Sequence, residues 1–298
     1  MPIPHFYKLR SRIGLLNPPI HHTESNIGVE NGPDAILTES FLRSFPKSAL
    51  DTFDFPLPET LTKEHYESAI ATSASQCRDL ITQTLKRDEI QIAIGGDHSI
   101  TFSTFLAVLA QKQNPQEIGY IQFDSHGDMN LRQESLTDNF HGMYVRAFLD
   151  ADFDMPKIKA LVSPTFPATN VLFIGNLDLD ETGEKQYFTQ QHIAHISKNT
   201  IRSHPLTALA QFTTFIQRFK HVHITFDIDG LDKSIAGATG IPATGGLVWD
   251  DIEAMLRAVD LHPSFSFDLV EVNPQKPDAQ QTINIAQKIL QVITKITV

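Results

Sequence analysis

Acidic and imidazole side chains alternate in the stretch 121-IQFDSHGDMN-130, where Asp124, His126 and Asp128 directly follow a short apolar run. Two aspartates this close repel each other unless a positive charge lies between them. Carboxylate oxygens and imidazole nitrogens are also the ligands that Mn²⁺ and related divalent ions take in proteins. The stretch is therefore a candidate for part of a metal site.

Two other apolar segments end in residues of the same kind. QIAI runs into GGDHS, and ITF runs into DIDGLD. One such cluster alone is more often a cap or a solvated turn, but three of them favour a site. Residues two apart on a strand are separated by about 7 Å, which suits two ions about 3.5–4 Å apart better than one. The candidate ligands are His98, Asp124, His126, Asp128, Asp227 and Asp229.

The segments that carry these clusters alternate with helix-like stretches. The predicted strands are 12–17, 91–96, 118–123, 171–175, 221–226 and 264–272. The predicted helices are 32–45, 63–87, 99–111, 205–220, 249–260 and 279–296. Nearly continuous apolar strands separated by helices indicate a parallel sheet covered on both faces, with ligands at the carboxyl ends of its strands. No repeat or linker interrupts the pattern, so residues 1–298 are expected to form one domain.

Composition restricts the partners and the compartment. The 298 residues carry a formal net charge of -11, which argues against a nucleic-acid backbone or an anionic membrane as partner. The single cysteine, Cys77, suits a reducing compartment. No apolar run approaches the length of a membrane span, and the first residues lack the apolar core of a signal peptide. We expect a cytoplasmic protein that binds a small molecule.

Five motifs, in chain order, resemble those of the ureohydrolases, the family of arginase, agmatinase and formiminoglutamase. They are GGDHS, DSHGDMN, DNFHG, TFDIDGLD and EVNP, and GVENGPDAI (28–36) resembles a further arginase segment. The resemblance extends from about Gly28 to Pro274. It implies an α/β fold, a three-layer α/β/α sandwich with a mainly parallel eight-stranded sheet, and a homo-oligomer, either a trimer or a hexamer.

The same resemblance implies roles for the candidate ligands. His98 and Asp128 would bind one Mn²⁺, His126 and Asp229 the other, and Asp124 and Asp227 would bridge them. Co²⁺, Ni²⁺ or Zn²⁺ could replace manganese with such ligands. Two dications make hydroxide available near neutral pH. The resemblance therefore implies hydrolysis of a guanidino group by a metal-bridging hydroxide.

Three residues of these motifs are expected to take part in the reaction. The resemblance implies that Glu271 pairs with the substrate guanidinium, a charge-assisted contact. It also makes His141 a proton relay, and Asp128 can accept a hydrogen bond from the hydroxide and shuttle its proton.

The spacing from Asp124 to His141 matches that of arginases without a gap. The resemblance then places Asn130, Thr137 and Asn139 at the substrate α-carboxylate, and Asp180 of NLDLDETGE (176–184) near the α-amino group. This favours L-arginine as substrate, with L-ornithine and urea as products.

Several alternatives stay open at this point. Asp138 replaces a glycine, Tyr144 a proline and Ser125 an alanine of the family pattern, and the first two bear on substrate choice. Agmatine, formiminoglutamate and other guanidino acids are alternative substrates. A two-metal phosphoesterase is less favoured because only Arg132 could clamp a phosphate beside the clusters, and nothing in the sequence supports a non-catalytic homologue.

Overall fold

The computed structural model describes residues 3–16, 26–179, 183–259 and 262–294. Its strands are β1 (Ile3–Arg10), β2 (Ala49–Asp54), β3 (Glu89–Gly95), β4 (Ile118–Phe123), β5 (Val171–Gly175), β6 (Ala194–Ser197), β7 (His221–Asp227) and β8 (Phe265–Val270). Its α-helices are α1 (Gly32–Ile36), α2 (Glu39–Leu42), α3 (Lys63–Thr84), α4 (Ile100–Lys112), α5 (Tyr144–Leu149), α6 (Pro156–Lys159), α7 (Glu184–Gln190), α8 (Lys198–Ser203), α9 (Pro205–Ile216), α10 (Trp249–Val259) and α11 (Ala279–Ile293).

The eight strands form one sheet in the order β2-β1-β3-β8-β7-β4-β5-β6, and every neighbouring pair is parallel. Helices cover both faces. α3 to α7 pack with one set of alternate strand side chains, and α1, α2 and α8 to α11 pack with the other. The predicted three-layer α/β/α sandwich with an eight-stranded parallel sheet is therefore confirmed.

The four strands that carry the polar clusters are neighbours at the centre of the sheet, in the order β3-β8-β7-β4. Nearly every residue of these strands is buried. Because parallel strands end at the same edge, the residues that follow β3, β4, β7 and β8 meet there. The hydrophobic strand sequences thus fix where the polar chemistry is placed.

The prediction of a first strand at 12–17 is wrong, since β1 lies at Ile3–Arg10 and the chain turns at Ile13 and Gly14. Gly14 passes close to the loop after β3, where an added Cβ would lie 2.3 Å from the Asp97 carboxylate. Tertiary contact with that loop therefore takes these apolar residues out of the sheet. Asn17 lies outside the described residues.

The predicted helix at 32–45 is two short helices, α1 and α2. Thr38 separates them in an extended conformation, and its Oγ1 accepts a hydrogen bond from the backbone N–H of Phe41 as the N-cap of α2. The helix predicted at 63–87 ends at Thr84, and the helix predicted at 279–296 ends at Ile293. The predicted end of the helix at 249–260 lies outside the described residues. Among the described residues, no helix is both long and apolar enough to cross a membrane.

Candidate metal centre and active site

The segment after β4 brings its three candidate ligands together by turning at the strand end. Asp128 adopts a left-handed backbone conformation with φ of 53°. The backbone N–H of His126 donates to Oδ1 of Asp124 at 2.7 Å, which closes the turn. Residues that would be spread along an extended strand therefore face a common point, as the two-ion interpretation requires.

Three carboxylate oxygens converge on the imidazole of His98. Its Nδ1 lies 3.2 Å from Asp124 Oδ2, 3.0 Å from Asp128 Oδ2 and 3.1 Å from Asp227 Oδ2. The nitrogen is buried, yet it has no well-oriented hydrogen-bond partner among the described residues. A buried nitrogen facing three carboxylates is the donor set of a divalent cation.

A second group of ligands lies beside the first. His126 Nδ1 lies 3.5 Å from Asp124 Oδ1 and 3.3 Å from Asp229 Oδ2. The residues form two sets, and within each set the ligand atoms all lie within 4.8 Å of one another. One set is His98, Asp124 and Asp128, and the other is Asp124, His126 and Asp229. Asp124 is common to both, so the residues present fit two adjacent cations with one shared carboxylate.

The contacts of Asp227 are less symmetrical. Its Oδ2 faces His98, while its Oδ1 accepts a hydrogen bond from the backbone N–H of Asp229 at 2.8 Å. Asp227 therefore lies beside the first group. A bridging role for Asp227 stays a prediction.

The electrostatics of the cluster favour positive charge. Burial lowers the pKa of the His98 imidazole, but Asp124, Asp128 and Asp227 outweigh it and hold that pKa well above its usual range. Burial likewise lowers the pKa of His126, and Asp229 and Asp124 raise it further than burial lowers it. Burial and the charges of Asp229 and Asp124 raise the pKa of Asp227. A divalent cation would compete with protons for these ligands, so metal affinity should fall in acid.

A cavity of about 590 Å³ opens onto the cluster. Its walls include His98, His126, Asp128, Asp227 and Asp229 from the candidate centre, and Asn26, Asn130, Ser135, Thr137, Asn139, His141, Asp178, Glu184 and Glu271 around it. The volume suits a small-molecule substrate.

Glu271 is held firmly in the wall of this cavity. Its Oε1 accepts from the backbone N–H of His98 at 2.9 Å, and its Oε2 accepts from Asn26 Nδ2 at 2.8 Å. Burial, together with the charge of Asp97, raises the pKa of Glu271 to about 8. Its φ of 67° is uncommon for a residue with a side chain, and such strain is concentrated at functional sites. A cationic guanidinium would favour the ionised carboxylate.

His141 lies on a short 3₁₀ turn at the cavity wall, with its ring only partly buried. The Nδ1 atom lies 3.1 Å from the carbonyl oxygen of Gly14, which can only accept a hydrogen bond. Nδ1 therefore carries a proton, and Nε2 is left to exchange one. The arrangement suits a histidine that transfers a proton at a reaction site.

A model of the arginase family matches residues 11–294. The chain belongs to the arginase family. Members are metal-dependent hydrolases that act on C–N bonds, and their substrate is a small guanidino compound. This arginase-family protein is accordingly a ureohydrolase, as the order of its motifs predicts.

Individual relatives agree with this assignment. The arginase of Bacillus caldovelox is 27% identical over 293 residues, which cover 93% of this chain and 96% of that protein. Arginase from Entamoeba histolytica, solved in complex with L-ornithine, has a TM-score of 0.84 at 22% identity and covers 99% of this chain and 100% of that one. Formimidoylglutamase from Bacillus subtilis has a TM-score of 0.72 at 19% identity, covering 99% and 87%. At the sequence identities of these two solved structures, the structural similarity establishes the fold alone.

Three of the four residues predicted to bind the α-carboxylate and α-amino groups of the substrate, here called the head-group residues of the arginase-family protein, lie in the cavity wall. Asn130, Thr137 and Asn139 all line it, and Asn130 Oδ1 is buried with no hydrogen-bond partner among the described residues. Asp180 lies outside the described residues. Asp178 lines the cavity, and its backbone N–H donates to the Ser125 carbonyl at 2.7 Å.

Asp138 and Tyr144, the two substitutions expected to bear on substrate choice, are both engaged elsewhere. Arg132 forms a bidentate pair with Asp138, with Nε 2.7 Å from Oδ1 and Nη2 2.9 Å from Oδ2. The left-handed φ of 59° at Asp138 explains why a glycine suits this position. Tyr144 is fully buried, and its hydroxyl oxygen lies 2.9 Å from Nε2 of His98, the ring nitrogen that does not face the three carboxylates. Because Arg132 is paired with Asp138, it is not available to bind a phosphate, which argues against the two-metal phosphoesterase.

Several residues of the site carried no recognisable signal in the sequence. Asn26, Ser135 and Glu184 line the cavity from loops or from the start of α7, and Gln122 lies inside the otherwise apolar β4. The one sequence signal for Gln122 is its amide side chain within an otherwise apolar strand. The others depend on contacts between segments that are far apart in the chain.

Proposed function

We propose that this arginase-family protein hydrolyses L-arginine to L-ornithine and urea at a binuclear manganese centre. The main support is geometric: two ligand groups that share Asp124 adjoin the same cavity as Glu271, His141 and three of the head-group residues, namely Asn130, Thr137 and Asn139. Two divalent cations, when bound, would lower the pKa of a water molecule and polarise it for attack. His98 and Asp128 would hold one ion, His126 and Asp229 the other, and Asp124 and Asp227 would bridge them.

The residues around the centre would then bind the substrate and move protons. Glu271 would pair with the guanidinium group and orient its carbon toward the cluster. Asp128 would accept a hydrogen bond from the attacking water and shuttle its proton. His141 would deliver a proton to the amine that leaves.

The head-group residues favour an amino acid over a simple amine as the substrate. Asn130, Thr137 and Asn139 would bind the α-carboxylate, and Asp180 would lie near the α-amino group. Agmatine lacks the carboxylate, so these contacts would be left unused. The same centre could serve agmatine, N-formimino-L-glutamate or another guanidino acid, and the head-group contacts decide among them.

A substrate panel tests this proposal directly. Urea release by the Mn²⁺-loaded protein would be measured with L-arginine, agmatine, guanidinobutyrate and guanidinopropionate, and formamide release with N-formimino-L-glutamate. We expect selective turnover of L-arginine. Selective turnover of another compound would refute the head-group assignment and retain the centre, and no turnover by protein that holds two ions would refute the proposed reaction.

Replacing Arg132 with alanine should weaken L-arginine binding specifically. The Asp138 carboxylate would lose its partner beside Thr137 and Asn139, where the substrate carboxylate is proposed to bind. Repulsion between two like charges about 4 Å apart is about 1 kcal/mol in the dielectric of water, which corresponds to roughly a fivefold rise in KM and sets the smallest effect expected. Steady-state kinetics would show little change for an agmatine-like substrate without a carboxylate.

The double variant Arg132→Ala/Asp138→Gly is the matched control, because it removes both charges and places glycine at a left-handed position. It should restore the KM for L-arginine. An equal change in KM for substrates with and without a carboxylate would contradict the assignment.

Three further expectations stay predictions: one domain over residues 1–298, a homo-oligomer such as a trimer or hexamer, and a cytoplasmic location. Manganese is favoured among the divalent ions by the carboxylate-rich ligand set, with Co²⁺, Ni²⁺ and Zn²⁺ as alternatives.

A further inference from the structure

A single buried amide, that of Gln122, joins the two aspartates of the first ligand group. Its Nε2 donates to Asp124 Oδ2 at 2.7 Å and to Asp128 Oδ2 at 3.1 Å. Its Oε1 accepts from the hydroxyl groups of Tyr120 and Tyr144, both at 2.9 Å. The opposite orientation would point the amide oxygen at two carboxylates, so the surroundings fix the direction of this amide.

Tyr144 extends the network to the third ligand of that group. Its hydroxyl proton is directed to Gln122, so its oxygen can accept from Nε2–H of His98 at 2.9 Å. Thr225 Oγ1 offers a second acceptor to the same nitrogen, also at 2.9 Å. With its proton on Nε2, His98 presents the lone pair of Nδ1 to the three carboxylates. Outer contacts of this kind orient a metal ligand and fix its tautomer.

The network reaches the shared Asp124 only through Oδ2, the oxygen that faces His98, while Oδ1 faces His126. Gln122 and Tyr144 contact His98, Asp124 and Asp128, which form the first group. In the second group, a different side chain supports the carboxylate: Ser125 Oγ donates to Asp229 Oδ1 at 2.8 Å. Asp124 is the only ligand that both groups share. The two candidate ion sites therefore have separate supporting residues.

We propose that Gln122, fixed by Tyr144 and Tyr120, is a positioning residue that sets the affinity of the His98 ion site independently of the His126 site, which Ser125 supports. The inference rests on the proposed binuclear centre and deepens it. The amide neutralises part of the repulsion between two adjacent carboxylates and holds them at one spacing. Without it, Asp124 Oδ2 and Asp128 Oδ2 lose the amide that donates to both of them, and the first site binds its ion more weakly, while Asp229 and His126 keep their support.

Manganese titration of the metal-free protein tests the inference, with free Mn²⁺ followed by its electron paramagnetic resonance signal. Wild-type protein should bind two ions. Gln122→Leu should weaken one binding step by about 10- to 100-fold, the usual effect of removing a supporting contact behind a metal ligand, and should leave the other step unchanged. Tyr144→Phe, which keeps the amide and the ring, should weaken the same step by about three- to tenfold. Circular dichroism would establish that each variant is folded.

Two single-site backgrounds identify the step that changes. In His126→Ala only the first site is intact, and adding Gln122→Leu should weaken the remaining ion. In His98→Ala only the second site is intact, and Gln122→Leu should have little effect there. Ser125→Ala is the matched control, because it should weaken the ion that remains in the His98→Ala background and spare the one in the His126→Ala background.

The outcomes separate this inference from the proposed centre. Wild-type protein that binds fewer than two ions would overturn the binuclear centre and the inference with it. Wild-type protein that binds two ions, together with unchanged binding in both Gln122→Leu and Tyr144→Phe, would overturn the inference alone. Equal weakening of both steps by Gln122→Leu would also overturn it, since the effect would then not be confined to one site.

Discussion

Alanine at position 124 is expected to remove both metal ions and to reduce turnover below detection. Asp124 is the carboxylate shared by the two ligand groups, with Oδ2 beside His98 and Oδ1 beside His126. Its side chain is fully buried. Elemental analysis of desalted protein would give the number of ions per chain, and urea release would give the residual rate.

His126→Ala is the control for this prediction, because that side chain belongs to the second group only. It should retain about one ion per chain. Asp227→Ala should lose at least one ion if Asp227 bridges as proposed. Two ions per chain in Asp124→Ala would show that the two sites do not depend on a shared carboxylate.

Removal of the His141 imidazole is expected to lower kcat by about 10²- to 10⁴-fold, the usual contribution of a positioned acid or base. Both ions should remain bound, because His141 lies outside the two compact ligand groups. KM should change little, since the proposed role is proton transfer to the leaving amine. Steady-state urea release at saturating Mn²⁺, combined with elemental analysis, would separate these effects.

His65→Ala is a suitable control for loss of a histidine, because His65 is exposed on α3 and contacts Thr62 away from the cavity. Its kcat should equal that of the wild type. Addition of free imidazole should restore part of the rate of His141→Ala if the missing function is proton transfer. An unchanged kcat in His141→Ala would contradict the relay assignment.

The site is thus expected to contain one part that binds the cations and another part that moves protons. Asp124 acts through the ions that it would bind, so its loss should be visible in the metal content. His141 acts through its ring nitrogen, so its loss should be visible only in the rate. A variant of either residue that showed the pattern expected of the other would require the roles to be reassigned.

The central strands, and the order of the chemical groups at their ends, can be predicted from the amino-acid sequence alone. β3, β4, β7 and β8 are buried on both faces, so each of them needs a nearly continuous apolar run, which is visible without any partner segment. The polar residues that follow these runs were predicted to meet at one edge, and they do. The family could be identified for the same reason, since four of its five motifs lie at these strand ends.

The sheet edges were decided by tertiary structure. β2 alternates half-buried and exposed residues, and β6 has only four residues, so neither contains an apolar run. Both are edge strands, which pair on one side only and can remain short or polar. The turn at Gly14 likewise depends on the loop after β3, more than eighty residues away in the chain.

Tertiary structure also decided how the site residues are held. Gln122 donates to two ligands, Arg132 neutralises Asp138, and Glu271 is fixed by Asn26 from the other end of the chain. Each of these contacts depends on the distance and direction between atoms, which residue type and spacing do not specify. The residue types determine which chemistry is available, whereas the packing of the sheet and its loops decides which side chain supports which ligand.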